Sequence, residues 1–266
     1  MWRGLTDTIL VSRARSFRNG RVRVVVITRN SAHWFGALIE AYRELRIEPM
    51  VLLDASSDDG TEALLKRNNI VYARVFPEFP RVEAMIRLIP DHTDAEWVLR
   101  LDDDEFPSLA LVRWINRRLH RVEASVVGLP RRWVRLGESG HCEYSNHQLL
   151  RWHEQRMDIQ WRLFRPRRVQ YQTDIHSAGF LVPPGSPVAP ESDFFVHFDW
   201  VIRSWRERKE KLARYDRQQS GSGYRFRDLY LWETCDPEAH AFMRMETDEF
   251  DRLARSLSHP SSGDTL

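Results

Sequence analysis

Val22–Ile27 is an apolar, β-branched run interrupted only by Arg23. A run of that length without polar alternation predicts a strand buried on both faces of a parallel sheet. The periodicity then changes. Trp34, Phe35, Leu38, Ile39, Tyr42 and Leu45 recur at spacings of one, three and four, which lays one apolar stripe along a helix. Met50–Leu53 predicts a second strand. Asp59 followed three residues later by Glu62 reads as an acidic variant of the capping box, opening a helix that runs through Lys66 and ends at Asn68–Asn69. Ile70–Phe76 predicts a third strand, Arg81–Ile89 a short helix and Glu96–Leu101 a fourth strand. Strands alternating with helices in this way predict a doubly wound α/β layer.

The pattern loosens after the carboxylate run Asp102–Glu105. Leu109, Val112, Ile115 and Leu119 mark a helix, while Ser125–Leu129, Ile159–Phe164 and Val169–Gln172 read as strands, the last two joined by a turn at Arg165–Arg168. A proline-rich loop, Val182–Pro190, precedes a short strand at Phe194–Phe198 and a long polar helix from Asp199 to Gln218. Ser220–Gly223 has the composition of a linker. The expected organisation is a main domain over residues 1–219, and a C-terminal helical extension with a flexible tail over 220–266.

Composition narrows the classes. No apolar run in the 266 residues approaches the ~18 that a membrane helix needs, and Ile9–Val11 is too short for a secretory core. A cytoplasmic protein is expected, with no transmembrane segment and at most peripheral membrane contact. Cys142 and Cys235 lie far apart, which supports neither a disulfide framework nor a zinc ribbon. The 40 basic residues nearly balance the 38 acidic ones, for a net charge of +2, so the chain is no nucleic-acid arm. Lysine occurs only at Lys66, Lys209 and Lys211. The arginine excess reads as a compositional habit of the genome before it reads as a set of phosphate forks.

In an open parallel sheet, ligands bind beyond the carboxyl ends of the strands. Asp54 and the group Asp102, Asp103 and Asp104 stand at two such ends. Asp58 and Asp59 read better as helix caps. Asp102 to Glu105 are four adjacent carboxylates, which repel and need a counter-charge. A divalent metal completed by a substrate diphosphate would supply it.

At this point the strings themselves become informative. VVVITRNSAHWFGALIEAY, VLLDASSDDGT and WVLRLDDDEFPS resemble, in order and spacing, the family-2 glycosyltransferases with their GT-A fold and Asp-x-Asp motif. DIQWRLFRPRRVQYQTDIHSAGF and VHFDWVIRSWRERKEKLARYD are similar to a bacterial subgroup with an R-L-F-R strand, a following His and a late His-x-Asp-x-Trp segment before a Lys-containing helix. The resemblance covers about Val22 to Asp216. It implies an α/β fold, a GT-A-like Rossmann-type mixed sheet flanked by helices. It also implies metal-dependent transfer of a sugar from a nucleoside-diphosphate donor, a UDP-sugar first, to a carbohydrate, lipid-linked or peptide acceptor, with inversion by single displacement.

Carried onto this sequence, the resemblance implies that Thr28 and Asn30 line the nucleotide site and that Asp54 accepts a hydrogen bond from base or ribose. Asp102 would contact the ribose or the metal's water shell, and Asp104 would ligate Mn²⁺ or Mg²⁺. Asp103 fills the variable middle position. His197, followed by Asp199 and Trp200, is either a metal or diphosphate ligand or a satisfied core histidine. Arg165, Lys209 and Lys211 would face the diphosphate, against a reading of the Arg203–Arg214 stretch as a solvated face. Ala55 stands where a second Asp is common, and no Glu-Asp pair marks the usual base. Asp174 and His176 are the first candidates to deprotonate the acceptor, with Asp158 after them. Trp133 and Trp161 are core residues first and sugar-stacking platforms second. Two other classes compete. A nucleotidyltransferase would normally show a glycine- and lysine-rich phosphate loop, which TRNSAHWFG is not. A single-stranded nucleic-acid module fits poorly with near-neutral charge and a carboxylate run.

Overall fold

The computed structural model describes residues 21–78, 82–145, 158–173, 177–234 and 242–258. Strands β1 (Val22–Thr28), β2 (Met50–Asp54), β3 (Val71–Val75) and β4 (Trp97–Asp102) are parallel and lie in the order β3-β2-β1-β4. Helices α1 (Ala32–Glu44), α2 (Thr61–Arg67), α3 (Val82–Ile86) and α4 (Ile89–His92) fall between them in sequence. The apolar runs of β1 and β2 have a direct cause, since both faces of this sheet are covered. Val24, Val26, Val51 and Leu53 share one core cluster with the α1 stripe Phe35, Leu38, Ile39 and Tyr42. Val25, Ile27, Met50 and Leu52 share another with Met85 and Ile86 of α3 and with Phe180.

The sheet becomes mixed beyond β4. After β5 (Glu105–Pro107) and α5 (Leu109–Arg118) come β6 (Val126–Leu136), β7 (Cys142–Ser145) and β8 (Asp158–Phe164). β8 lies antiparallel between β4 and β6, and β7 continues the sheet on the other side of β6. The Ser125–Leu129 strand is thus longer than its apolar run, and its register with β8 shifts at Gly128. A Cβ there would stand 2.7 Å from Ile159, so glycine permits the close approach. β9 (Phe195–His197) pairs with β5 and β6 and leads into α6 (Asp199–Ile202) and α7 (Trp205–Gln218).

The mixed α/β sheet flanked by helices is therefore the architecture expected from the sequence, with three local corrections. The helix expected from Asp59 begins at Thr61, behind Gly60 in a left-handed conformation (φ 90°). Asp59 instead accepts from the backbone N–H groups of Thr61 and Ala32, joining two loops. Val169–Gln172 forms no strand, because the Arg165–Arg168 turn carries it toward residues 179–181, which it meets through one isolated bridge, Tyr171 to Phe180. The helix expected over Asp199–Gln218 is broken at Arg203–Ser204. Ser204 adopts extended backbone and starts α7 with a reciprocal capping box to Glu207.

Residues 220–266 contribute short helices α8 (Ser222–Arg225) and α9 (Arg227–Tyr230), strand β10 (Phe242–Arg244) and helix α10 (Asp251–Ser258). Leu229, Tyr230 and Leu231 pack with Trp133, Trp200 and Leu212, β10 extends the sheet on β7, and Phe250, Ala254 and Leu257 enter the main core. Cys142 is buried and free, whereas Cys235 lies outside the described residues. No helix among the described residues is long and apolar enough to cross a membrane.

Candidate active site

β4 ends at Asp102, and Asp103 and Asp104 form the turn into β5. The pairing of β5 with β9 sets Glu105 opposite His197, and the Phe198 N–H donates to the Asp104 carbonyl at 2.8 Å. Two short strands far apart in sequence thus bring Asp104, His197 and Asp199 together. One ligand atom from each lies within 4.8 Å of the others, and all three residues are buried. His197 Nε2 is 3.3 Å from Asp104 Oδ1. Arg203 Nη1 lies 2.6 Å from both Asp104 Oδ2 and Asp199 Oδ1, and Lys211 Nζ lies 2.6 Å from the same Asp199 oxygen. Burial would raise the Asp104 carboxyl, but His197 and Arg203 hold it well below the usual carboxylate range.

The donor chemistry suits a divalent ion. Among the described residues Asp199 Oδ2 is buried with no hydrogen-bond partner, as is His197 Nδ1, whose ring meets Trp133 edge-on at 4.1 Å. The two carboxylates suit Mn²⁺ or Mg²⁺, and the added imidazole nitrogen favours Mn²⁺ of the two. Two ligands at right angles around such an ion, each about 2.1 Å from it, stand about 3 Å apart, close to the His197–Asp104 separation.

The neighbouring carboxylates are engaged differently. Asp103 accepts from the Thr28 hydroxyl at 2.7 Å, and burial together with Asp104 pushes its carboxyl up to about 6. Thr28 is itself buried and also bonded to Ser31, so its hydroxyl serves the loop. Asp102 receives Arg100 at 2.5 Å on one oxygen and Arg162 at 2.7 Å on the other. Arg162 also reaches Glu105, as does Arg131, which in turn binds Asp158. Glu105 is fully buried, and burial with Asp102 raises its carboxyl well above the usual range.

At the ends of β2 and β3, Asp54, Ala55, Ser56, Phe76 and Pro77 line an open cleft of about 320 Å³. Asp54 Oδ1 accepts from the Ser56 N–H and hydroxyl, an Asx-type turn. Phe76 is 82% exposed beside it. Asn30, at φ 54°, exchanges hydrogen bonds with Asp58, tying the β1–α1 loop to the β2–α2 loop.

The structure therefore gathers Asp104 and His197 at one point, with Asp102, Asp103 and Thr28 adjoining it. Arg165 is elsewhere. It follows β8, spans Glu96 and the Val122 carbonyl, and lies over Trp97 at the opposite end of β4 from the carboxylates. Lys209 is exposed, 5.1 Å over Trp205, and Lys211 is the lysine that enters the cluster. Asp158 is held by Arg131, Trp133 and Gln160. Asp174 and His176 lie outside the described residues. Asp199, read from the sequence only as a neighbour of His197, and Arg203, read only as the start of the charged Arg203–Arg214 stretch, complete the cluster. Their i, i+4 spacing was the available signal.

The chain matches no family model and no curated protein. Among solved structures, it aligns with glucosyl-3-phosphoglycerate synthase from Mycobacterium tuberculosis in complex with Mn²⁺, uridine diphosphate and glucosyl-3-phosphoglycerate. The TM-score is 0.35 and the identity 20%, over 42% of this chain and 43% of that one. The alignment thus spans less than half of the synthase. TarS from S. aureus, residues 1–349, aligns with a TM-score of 0.45 and 12% identity over 92% of this chain and 76% of that one.

Proposed function

We propose that this chain is a metal-dependent glycosyltransferase that moves a sugar from a nucleoside-diphosphate donor, a UDP-sugar, to an acceptor hydroxyl with inversion. The observation that carries this reading is the convergence of Asp104, His197 and Asp199 beyond the carboxyl end of a parallel strand, with Asp199 Oδ2 buried and unpartnered among the described residues. A Mn²⁺ or Mg²⁺ ion held by these residues would neutralise the charge that accumulates on the departing nucleoside diphosphate.

The chain's own groups divide the remaining work. Arg203 and Lys211 already balance the two carboxylates, so a bound divalent ion leaves the site with positive charge suited to a diphosphate. Asp54 and Phe76 would take the ribose and base, one by hydrogen bonding and the other by stacking. Asp102, clamped by Arg100 and Arg162, forms a fixed wall between this region and β8. The acceptor hydroxyl needs one base. Asp174 and His176 are the first candidates for it, with Asp158, which accepts from Arg131, Trp133 and Gln160, after them.

A binding experiment tests the reading. UDP with Mn²⁺ should raise the melting temperature, EDTA should remove the effect, and an oligonucleotide should produce none. A panel of nucleotide sugars assayed for metal-dependent hydrolysis then identifies the donor. Failure of every nucleoside diphosphate to bind in the presence of metal would overturn the proposal.

A further inference from the structure

Arg203 occupies an unusual position relative to the cluster. All of its hydrogen bonds among the described residues are made by Nη1, which bridges one oxygen of Asp104 and one oxygen of Asp199. The remaining oxygens are engaged differently: Asp104 Oδ1 meets His197 Nε2 at 3.3 Å, Asp199 Oδ2 has no hydrogen-bond partner among the described residues, and the three residues offer ligand atoms within 4.8 Å of one another. A guanidinium edge shared by two carboxylates fixes the rotation of both. Freed of it, like charges this close would turn apart.

The other edge is unspent. Nε and Nη2 have no hydrogen-bond partner among the described residues, neither is a fully buried atom, and the side chain keeps 16% exposure. The guanidinium is also held from one side by Trp34, with its carbon 4.9 Å from the ring centre, while Trp34 Nε1 donates to the Asp103 carbonyl at 2.9 Å. A planar cation is thus fixed on three fronts with two N–H donors still available at the rim of the cluster. That is the geometry in which arginine donates to two oxygens of a phosphate.

Resting on the glycosyltransferase reading, we infer that Arg203 works from both edges. Its Nη1 edge positions Asp104 and Asp199 for the divalent cation, and its Nε/Nη2 edge binds the donor's diphosphate. No atom of Arg203 takes part in bond making. It carries charge and geometry between the cation and the nucleotide, so the two ligands should bind in concert through this one side chain.

Arg203→Lys and Arg203→Met separate the two roles. A lysine ammonium retains a charge for the carboxylates but has no second edge. Titration calorimetry with MnCl₂ alone, then with UDP and with uridine at saturating Mn²⁺, gives the readout without any turnover. Arg203→Met should weaken Mn²⁺ binding by about 10- to 100-fold, the range for residues that orient metal ligands. Arg203→Lys should keep Mn²⁺ affinity within about threefold but lose at least about tenfold in UDP affinity, with uridine unaffected. Melting curves confirm that each variant is folded, and Arg203→Lys carries the test if Arg203→Met is not. Wild-type UDP affinity in Arg203→Lys would overturn the outer-edge assignment. Loss of Mn²⁺ binding together with UDP binding in that variant would overturn the division between the edges, and wild-type Mn²⁺ affinity in Arg203→Met would overturn the positioning role. A wild-type protein that binds neither Mn²⁺ nor UDP would remove the glycosyltransferase reading first, and this inference with it.

Discussion

Lys211 Nζ stands 2.6 Å from Asp199 Oδ1, with the lysine side chain 11% exposed and the aspartate fully buried. Two residues, about half a helical turn, separate it from Lys209, whose ammonium lies in solvent over Trp205. Breaking a buried pair leaves an uncompensated charge, at a cost of about 3–5 kcal/mol. Arg203 remains on the same oxygen and reduces that, so Lys211→Met should cost about 2–3 kcal/mol and lower the melting temperature by about 5–10 °C. Lys209→Met should stay within about 0.5 kcal/mol. Urea unfolding of both variants checks the contrast, and equal stabilities would contradict the buried pairing.

The cleft beside Asp54 separates binding from stability. Phe76 is almost fully exposed, so Phe76→Ala should leave the melting temperature unchanged. Stacking on a nucleobase is worth about 1–3 kcal/mol, and losing it should weaken UDP binding by about 5- to 100-fold. Asp54→Ala should raise the donor KM more than it lowers kcat, because a ribose or base contact is made equally in ground and transition states. An unaltered UDP affinity in Phe76→Ala would place the base elsewhere.

Asp103 gives a pH signature. Its carboxyl is pushed up to about 6 by burial and by Asp104, above the unfolded value near 3.9. A raised carboxyl favours the fold while protonated, so this contribution is full below about pH 4 and fades as pH rises through about 6. Asp103→Asn removes that loss. The variant should gain stability relative to wild type between pH 5 and pH 8, by about 1–3 kcal/mol, in melting curves recorded in EDTA. A difference between the two proteins that does not change with pH would show that Asp103 is ionised throughout.

The parallel half of the sheet was legible because burial on both faces leaves a single mark, an unbroken apolar run, and β1 and β2 carry it. The α1 stripe was legible for the same kind of reason. Arg100, Arg131 and Arg162 were not. Each lies in a strand at the polar end of the sheet, where an arginine beside a carboxylate has the same sequence appearance as a solvated one in an arginine-rich chain. The break at Arg203–Ser204 was written in the string Ser204-Trp205-Arg206-Glu207, a capping box hidden by the polar run on both sides. At the candidate site, the Asp102–Asp104 run marked a strand end. Which carboxylate meets His197 depends on the pairing of β5 with β9, a long-range event with no local signature.

Asp251 tests how firmly the C-terminal segment belongs to the main body. Its carboxylate takes the Cys142 N–H at 2.8 Å and His141 Nδ1 at 2.6 Å, fastening the start of α10 to β7. Burial would raise this carboxyl, and those two bonds bring it below its ordinary value. Asp251→Ala leaves a buried donor unmet and should cost about 1–3 kcal/mol. The melting temperature should then fall by about 3–10 °C in a single transition. A separate early transition would show that residues 242–258 unfold on their own.

Packing of α10 against α1 joins residues more than 200 positions apart, with Phe250, Ala254 and Leu257 in the same core as Phe35 and Leu38. A ribosome delivers this chain from its N-terminus, so α1 and the strands it packs on emerge long before the part of their core that α10 supplies. The nascent protein must hold that part of the core open until residue 258 has left the exit tunnel. Native closure therefore waits on the last helix of this core, and the interval before it is when a chaperone or a second nascent chain would find the uncovered surface.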